Sequence, residues 1–104
     1  MSYSILRTDK ADAQIRELIY YIADDSGDIE IALSYLDKLE KAINLLEEQP
    51  YYGTTARQPS LRRQGLRVLI VEKYLVFYKV RARDETVIVY AVVDSRRNYT
   101  DLVF

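Results

Sequence analysis

The 104-residue sequence contains no cysteine and no histidine, and it has only three glycines and two prolines. Without cysteine, a disulfide framework and a thiolate metal site are excluded. Without histidine, the usual general base and the commonest metal ligand are missing. Any catalysis must therefore use Arg, Lys, Tyr, Asp or Glu, and serine–histidine or cysteine–histidine arrangements are excluded.

The few glycines are also too far apart to form a phosphate-binding loop. Neighbouring carboxylates, such as those at positions 24–25 and 47–48, fall at predicted helix ends. Capping or exposure to solvent is the more common role for acidic residues there. We therefore expect neither a metal site nor a cofactor.

No apolar run follows a basic start at the N-terminus, so the sequence predicts no signal peptide. No segment approaches the ~20 apolar residues of a membrane span. The composition, 49% hydrophobic and 30% charged, is that of a folded globular protein and excludes intrinsic disorder. We expect a single domain over residues 1–104, located in the cytoplasm.

Charge is divided unevenly along the chain. Residues 1–50 hold five basic and eleven acidic residues, a net charge of −6, whereas residues 51–104 hold ten basic and five acidic residues, a net charge of +5. This asymmetry indicates a face that can meet a polyanion, or else a set of solvated loop and sheet-edge charges. The overall pI near 5.4 disfavours unassisted tight binding to free nucleic acid.

The hydrophobic pattern predicts an α+β fold in the order β-α-α-β-β-β, with a helical hairpin packed on a small antiparallel sheet. Thr8 or Asp9 is expected to cap the first helix, and Asp28 the second. The first strand is expected to pair beside the later ones. The predicted strands cover residues 2–7, 65–71, 74–81 and 86–94, and the predicted helices cover residues 9–24 and 29–48, with a loop at 51–64.

The last three predicted strands are apolar on both faces for much of their length. An antiparallel sheet with one face open to water would alternate more cleanly between apolar and polar residues. We therefore expect the helices to cover one face and part of the other face to form a groove or a partner surface.

The strand at residues 86–94 leads directly into a polar cluster that contains Arg96, Arg97 and Tyr99. Two guanidinium groups can bind phosphate oxygens, and a tyrosine ring can stack on a base. The structural alternative is that both arginines pair with Asp94 and Asp101 while Tyr99 packs at the sheet edge. Spacing alone favours this structural alternative.

Further basic residues can extend the same positive surface if the middle strands lie beside the last one. A basic rim of this kind suits contact with an RNA or DNA backbone, and it also suits an ordinary exposed sheet face. The candidate nucleic-acid-binding residues are Arg62, Arg63, Arg67 and Lys73.

Four segments together resemble the RelE/ParE family of toxins from bacterial type II toxin–antitoxin modules. They are the helical hairpin, the strand YLVFYKV, the strand VIVYAVV and the closing SRRNYTDL. The resemblance extends over residues 3–102, and its most specific parts are LRRQGLR followed by YLVFYKV, and the apolar strand that ends in RRNY. It implies a helical hairpin on a small antiparallel sheet and a cognate antitoxin that wraps the toxin.

One branch of this family cuts messenger RNA in the ribosomal A site without a metal, and the other poisons DNA gyrase. Arg97 falls where the nuclease branch places an arginine after the last strand, and Arg96 matches the basic residue before it. Tyr99 lies near the position of a catalytic or stacking aromatic residue in that branch. By contrast, Leu75 stands where those nucleases usually have arginine, and Arg67 is alone where they often have several basic residues.

Three functions follow from these residues as hypotheses. The first, slightly preferred on the basis of Arg96, Arg97 and Tyr99, is a ribosome-dependent endoribonuclease whose partners are the ribosome and messenger RNA. The second is a gyrase poison without chemistry of its own. The third is an inactive module whose only role is to bind an antitoxin in a hetero-oligomer.

Overall fold

Nine α-helices and β-strands and one short 3₁₀ helix (Ala82–Asp84) build the chain over residues 2–103, the range that this computed structural model describes; Met1 and Phe104 lie outside it. Within that range, no helix is both long enough and apolar enough to cross a membrane. In chain order the elements are β1 (Ser4–Arg7), α1 (Asp9–Ser26), α2 (Ile29–Leu45), β2 (Thr54–Thr55), α3 (Pro59–Arg63), β3 (Arg67–Val71), β4 (Tyr74–Arg81), β5 (Thr86–Asp94) and α4 (Thr100–Val103).

The predicted helical hairpin is confirmed, together with the residues that begin and end its helices. The Thr8 hydroxyl accepts a hydrogen bond from the Ala11 backbone N–H at 3.0 Å, and the Asp28 carboxylate accepts one from the Glu30 N–H at 2.9 Å. Gly27 ends α1 in the left-handed conformation, at φ +69°, which costs glycine little because it has no Cβ. α2 ends at Leu45 and not at residue 48, because tighter turns follow it.

The sheet has the strand order β1-β5-β4-β3-β2. β2, β3, β4 and β5 pair antiparallel to one another, as predicted, and β1 lies beside β5, also as predicted. The pairing of β1 with β5 is parallel, a direction that the sequence did not predict, so the sheet is mixed. The helical hairpin explains the difference: it returns the chain to the start of β1, where the Tyr3 N–H donates to the Glu47 carbonyl at 2.7 Å. β3 therefore runs in the same direction as β1. The turn after β3 reverses the chain for β4, and the turn after β4 reverses it again, so β5 runs parallel to β1.

A β-bulge interrupts the pairing of β4 with β5. Phe77 pairs with Ala91 while the next residue, Tyr78, pairs with Val89, so Tyr90 is the extra residue of β5. Thr8 closes this bulge, because its N–H donates to the Val89 carbonyl at 3.0 Å and its hydroxyl donates to the Tyr90 carbonyl at 3.1 Å. The extra residue reverses which face of the sheet each later side chain of β5 meets.

Apolar side chains fill both faces of the sheet, as predicted. On one face α1 and α2 pack against residues that include Leu39, Tyr74, Val76, Tyr78 and Val89. The opposite face carries a smaller cluster built around Phe77, and three short elements that the sequence pattern did not predict, β2, α3 and α4, lie near it. The buried members of this second cluster are Ala56, Leu61, Leu66, Phe77, Ala91, Val93 and Val103.

Replacing Thr8 with alanine is expected to destabilise the protein by about 1–2 kcal/mol, because the change removes the N-cap of α1 and the side-chain bond that closes the bulge. Thr8→Ser keeps the hydroxyl and is expected to cost much less. Urea unfolding of the two variants measures both values. An equal loss of stability in the two variants would contradict the role assigned to the hydroxyl.

Candidate functional site

A groove of about 440 Å³ lies on the sheet face that the helices leave uncovered. Its floor comes from β3 and β4, and its walls come from the segment around β2 and from the chain that follows β5. The residues that line it are Thr54, Arg57, Val68, Ile70, Leu75, Phe77, Ser95 and Tyr99.

The floor of this groove is apolar. Ile70 is 70% exposed although it is a large aliphatic residue within a pair of strands. It pairs directly with Leu75, which occupies the position where the resemblance to the nuclease branch predicts arginine. A concave, partly apolar surface with a few polar groups at its margin is typical of a binding site.

Tyr99 forms part of the groove wall. Its ring centroid lies 5.4 Å from that of Phe77, with the planes inclined at 36°, so the two rings pack together. Tyr99 is half-buried and packs against the second apolar cluster. Tyr99 therefore packs on the sheet as the structural alternative has it, but over the middle strand β4 and not at the sheet edge, and the ring still lines the groove.

Arg96 lies on the other side of the sheet, and it pairs with Asp94. Arg96 Nε donates to one carboxylate oxygen at 3.0 Å and Nη2 donates to the other at 2.6 Å. Asp94 pairs in register with Tyr74, whose ring belongs to the cluster under the helices, and side chains of paired residues share a face. The sheet thus separates Arg96 from Tyr99, and this half of the structural alternative is also present.

The ion pair shifts the protonation of Asp94. The hydrogen bond from the Arg96 side chain lowers the pKa of the Asp94 carboxyl to about 2, against a smaller opposing effect of burial. The backbone N–H of Arg96 and the charge of Lys73 add to this lowering. Arg96 therefore offers a guanidinium that is already neutralised by a carboxylate only 17% exposed.

Arg97 has a different environment from its neighbour. Its backbone N–H donates to the Asp94 carbonyl at 3.2 Å, but its exposed side chain makes no hydrogen bond or ion pair with any of residues 2–103. The alternative pairing with Asp101 is absent within that range. Arg97 stands in the chain between two groove residues, Ser95 and Tyr99.

The four predicted nucleic-acid-binding residues do not form one surface. Arg62 and Arg63 are exposed on α3, where Arg62 makes one long bond to the Arg57 carbonyl at 3.4 Å. Lys73 lies in the turn between β3 and β4, with its Nζ 5.7 Å from the centre of the Tyr74 ring, on the helix side. Arg67 is half-buried and donates hydrogen bonds to backbone carbonyls of a loop.

Arg67 helps to fix the loop that forms one wall of the groove. Its Nη2 donates to the carbonyls of Tyr51 and Gly53, and its guanidinium lies over the Tyr51 ring. The Gly53 N–H donates to the Tyr78 hydroxyl at 2.9 Å, and a Cβ at Gly53 would lie 2.5 Å from the Val68 carbonyl oxygen. These contacts set the position of the loop that carries Thr54 and Arg57 to the groove.

Sequence reasoning did not single out Arg57 or Ile70 as site residues. Strand alternation places Ile70 on the same face as Val68, so an apolar residue on the face that the helices leave uncovered was a signal that the sequence offered. Arg57 gave no such signal, because its position depends on the contacts that Arg67 and Tyr78 make with the loop.

Residues 5–99 match the model of the family described as the ParE toxin of the type II toxin–antitoxin system parDE. The mixed sheet under a helical hairpin and this match define the class, a RelE/ParE-type toxin. The chain belongs to the ParE toxin family. No curated protein gives a significant match.

Three solved structures show the same fold at low sequence identity. The chromosomal ParDE system of Pseudomonas aeruginosa aligns with a TM-score of 0.72 at 18% identity, over 89% of this chain and 96% of that one. The RelBE2 toxin–antitoxin complex of Mycobacterium tuberculosis aligns at 0.63 and 18% identity, over 90% and 99%. A free double-arginine mutant of the toxin RelE of Escherichia coli aligns at 0.63 and 15%, over 98% and 90%.

The two neighbouring arginines are expected to respond differently when replaced by alanine. Asp94 should titrate near pH 2 in the wild type, and its midpoint should rise in Arg96→Ala because the hydrogen bond that lowers its pKa is lost. Arg97→Ala should leave the midpoint in place. Carboxyl NMR titration of the three proteins measures this, and an equal rise in both variants would contradict the pairing.

The same ion pair predicts a pH dependence of stability. The folded pKa of Asp94 is depressed below the ordinary value of 3.8 for this carboxyl, so the stability that the pair contributes is present above about pH 4 and is lost as the pH falls to about 2. The difference in unfolding free energy between wild type and Arg96→Ala should therefore shrink across that window. Denaturant unfolding at a series of pH values measures it, and a difference constant down to pH 2 would contradict it.

Tyr78→Phe is expected to destabilise the protein by about 1–3 kcal/mol, because the buried Gly53 N–H loses its acceptor. Tyr20→Phe is the matched control, since Tyr20 is 72% exposed and a surface change of this kind is expected to stay within about 0.5 kcal/mol. Urea unfolding compares the two. Equal stabilities would show that the Tyr78 hydroxyl does not hold the loop.

Proposed function

We propose that this toxin acts as a poison of DNA gyrase, by binding a protein and not by cutting messenger RNA. The observation that carries the proposal is the chemistry of the groove. Among the residues of the range 2–103 that line it, Arg57 is the one charged residue, and the others are apolar or uncharged. Such a surface suits a protein segment better than a phosphate chain.

Metal-free RNA cleavage requires several cationic groups around one phosphate, because charge builds up there as the 2′-hydroxyl attacks. Two arginines of this chain already have other partners, and one position where arginine was expected is apolar. Arg96 is paired with Asp94 on the helix side, Arg67 donates to loop carbonyls, and Leu75 is apolar. This distribution supports the gyrase proposal.

The groove also indicates the chemistry of the segment that it would bind. Ile70 and Leu75 offer an apolar floor, while Arg57 at the wall offers positive charge. A gyrase segment that carries an apolar side chain next to a carboxylate would complement both features.

A cognate antitoxin is the second partner that we propose. Two of the structurally similar proteins are ParDE and RelBE2, and both are toxin–antitoxin assemblies. We infer that this chain forms a hetero-oligomer with an antitoxin in the cytoplasm, where both candidate targets are found.

One observation favours the nuclease as a second candidate. The side chain of Arg97 is exposed and without an ion-pair partner among residues 2–103, and Tyr99 stands on the groove wall nearby in the chain. In that function Arg97 would bind the scissile phosphate and Tyr99 would stack on a base.

Two assays after induced expression separate these functions. The gyrase proposal predicts that the purified toxin inhibits supercoiling by gyrase and traps cleaved DNA, while mapped transcript ends stay unchanged. Normal supercoiling with excess toxin, together with transcript cuts at codon positions, would overturn it in favour of the nuclease. Unaffected growth in the absence of antitoxin would leave the inactive module.

Two pairs of variants then test the groove itself. Ile70→Ser should weaken growth inhibition and gyrase inhibition about tenfold or more, as expected for an apolar anchor at an interface. Its matched control is Ile29→Ser, an exposed isoleucine at the start of α2, which should keep full activity. Loss of activity in both variants, or in neither, would contradict the groove as the contact surface.

The second pair of variants is Arg97→Ala and its matched control Arg63→Ala, an exposed arginine on α3. Arg97→Ala should retain most of the growth inhibition. Growth curves after induction measure both. Complete loss of toxicity in Arg97→Ala alone, with loss of transcript cuts, would instead identify Arg97 as a catalytic residue.

A further inference from the structure

Gln14, half-buried on α1, connects three parts of the chain through the two ends of its amide. Its Oε1 accepts a hydrogen bond from the Val92 N–H of β5 at 2.8 Å, and its Nε2 donates one to the Leu102 carbonyl of α4 at 2.8 Å. One partner is a backbone donor and the other a backbone acceptor, so together they fix which end of the amide is oxygen and which is nitrogen. This point of the structure therefore needs a side chain that carries an acceptor and a donor side by side.

The bond to Val92 takes the place of a neighbouring strand. β1 pairs with β5 from Thr86 to Val89, and Thr8 then leads the chain into α1. The N–H of Val92, three residues further along β5, lies beyond the end of that pairing. A buried backbone N–H without an acceptor is costly, and Val92 is only 3% exposed. Gln14 supplies the acceptor from α1.

The bond to Leu102 holds the far end of the chain that follows β5. α4 is four residues long, and the last carbonyls of a helix have no partner inside it. Since α1 packs on one face of the sheet and α4 lies near the other, the Gln14 amide ties the two faces together. Val103, the next residue, is buried in the cluster around Phe77. A polar contact and an apolar contact thus fix this end of the chain.

Tyr99 takes its position from this fixed end. The Leu102 N–H donates to the Tyr99 carbonyl at 2.8 Å. The Tyr99 ring packs on Phe77, with 5.4 Å between the ring centroids, and it lines the groove. A shift of Leu102 would therefore be passed through one hydrogen bond to the residue that forms part of the groove wall.

We propose that Gln14 is a positioning residue of the groove: its amide holds Leu102 and thereby keeps the Tyr99 ring in place on the groove wall before a target binds. The importance for binding rests on the proposed function of the groove as the contact surface for the target. A wall that is already in place avoids the entropic cost of ordering it on binding. Gln14 does not line the groove itself, so its effect passes through Leu102 and Tyr99.

One substitution separates the two ends of the amide. Gln14→Glu keeps an oxygen for the Val92 N–H, but its ionised carboxylate has no proton to donate to the Leu102 carbonyl. Partial burial beside a carbonyl oxygen raises the pKa of such a carboxyl, so mildly acidic pH restores the donor. Gln14→Ala loses both bonds at every pH. Gln49→Glu is the matched control, because it makes the same change of charge at an exposed position.

Proton NMR of the aromatic rings measures the packing of Tyr99 on Phe77 through their mutual nuclear Overhauser effect. This effect should be lost in Gln14→Glu at about pH 7.5 and return at about pH 4.5, whereas Gln14→Ala lacks it at both and Gln49→Glu keeps it at both. The Asp94 carboxyl, with a pKa of about 2, stays ionised over this range. A role in stability alone would lower the free energy of unfolding and leave the rings in contact. Ring contact in Gln14→Glu at the higher pH, or its loss without recovery at the lower pH, would overturn the proposal.

Inhibition of gyrase supercoiling and of growth then connects the groove wall to its target. Gln14→Glu should be about three- to tenfold weaker than wild type in both assays, the factor that one hydrogen bond contributes, while Gln49→Glu keeps full activity. Full activity of Gln14→Glu despite loss of the ring contact would overturn the role in binding. A wild type without effect on gyrase would overturn the proposed function instead, and the NMR and growth results would still decide the role of Gln14. Should Gln14→Ala fail to fold by circular dichroism, Gln14→Glu, which keeps the bond to β5, decides the proposal.

Discussion

The one-residue bulge at Tyr90 determines how the second half of the molecule presents its side chains. Before it, Val87 and Val89 face the helices; after it, Val92 faces the helices and Val93 faces the groove. An unbroken strand would have kept odd-numbered residues on the helix side and would have turned Asp94 toward the groove. Because Thr8 ties the bulge to the first turn of α1, the register of β5 is set by the N-terminal part of the chain.

This dependence explains how much of the fold and the site the sequence could predict. The strands Tyr74–Arg81 and Thr86–Asp94 have their predicted bounds, because runs rich in β-branched and aromatic residues are strong local signals. The caps Thr8 and Asp28 were also readable from local chemistry. The short elements β2, α3 and α4 were not, since two to five residues show no periodicity.

The site was less predictable than the fold, for a physical reason. Arg96, Arg97 and Tyr99 are neighbours in sequence, but the bulge puts Asp94 on the helix side, and Arg96 follows its carboxylate there. Arg67 looks like a free cation in the sequence, yet it satisfies loop carbonyls. A count of basic residues therefore overestimated the positive charge that the groove presents, because two of them already have internal partners.

The uneven charge along the chain has a consequence for how the molecule approaches other molecules. Residues 1–50, with net charge −6, supply β1 and the helical layer, while residues 51–104, with net charge +5, supply the other strands and the groove. Charge divided along the chain is thus largely divided between these two regions, although Arg96 and Lys73 of the second half lie on the helix side. In the electric field of a polyanion, this uneven charge would turn the more basic side of the protein toward it before any contact forms, and it would do so less effectively as salt concentration rises.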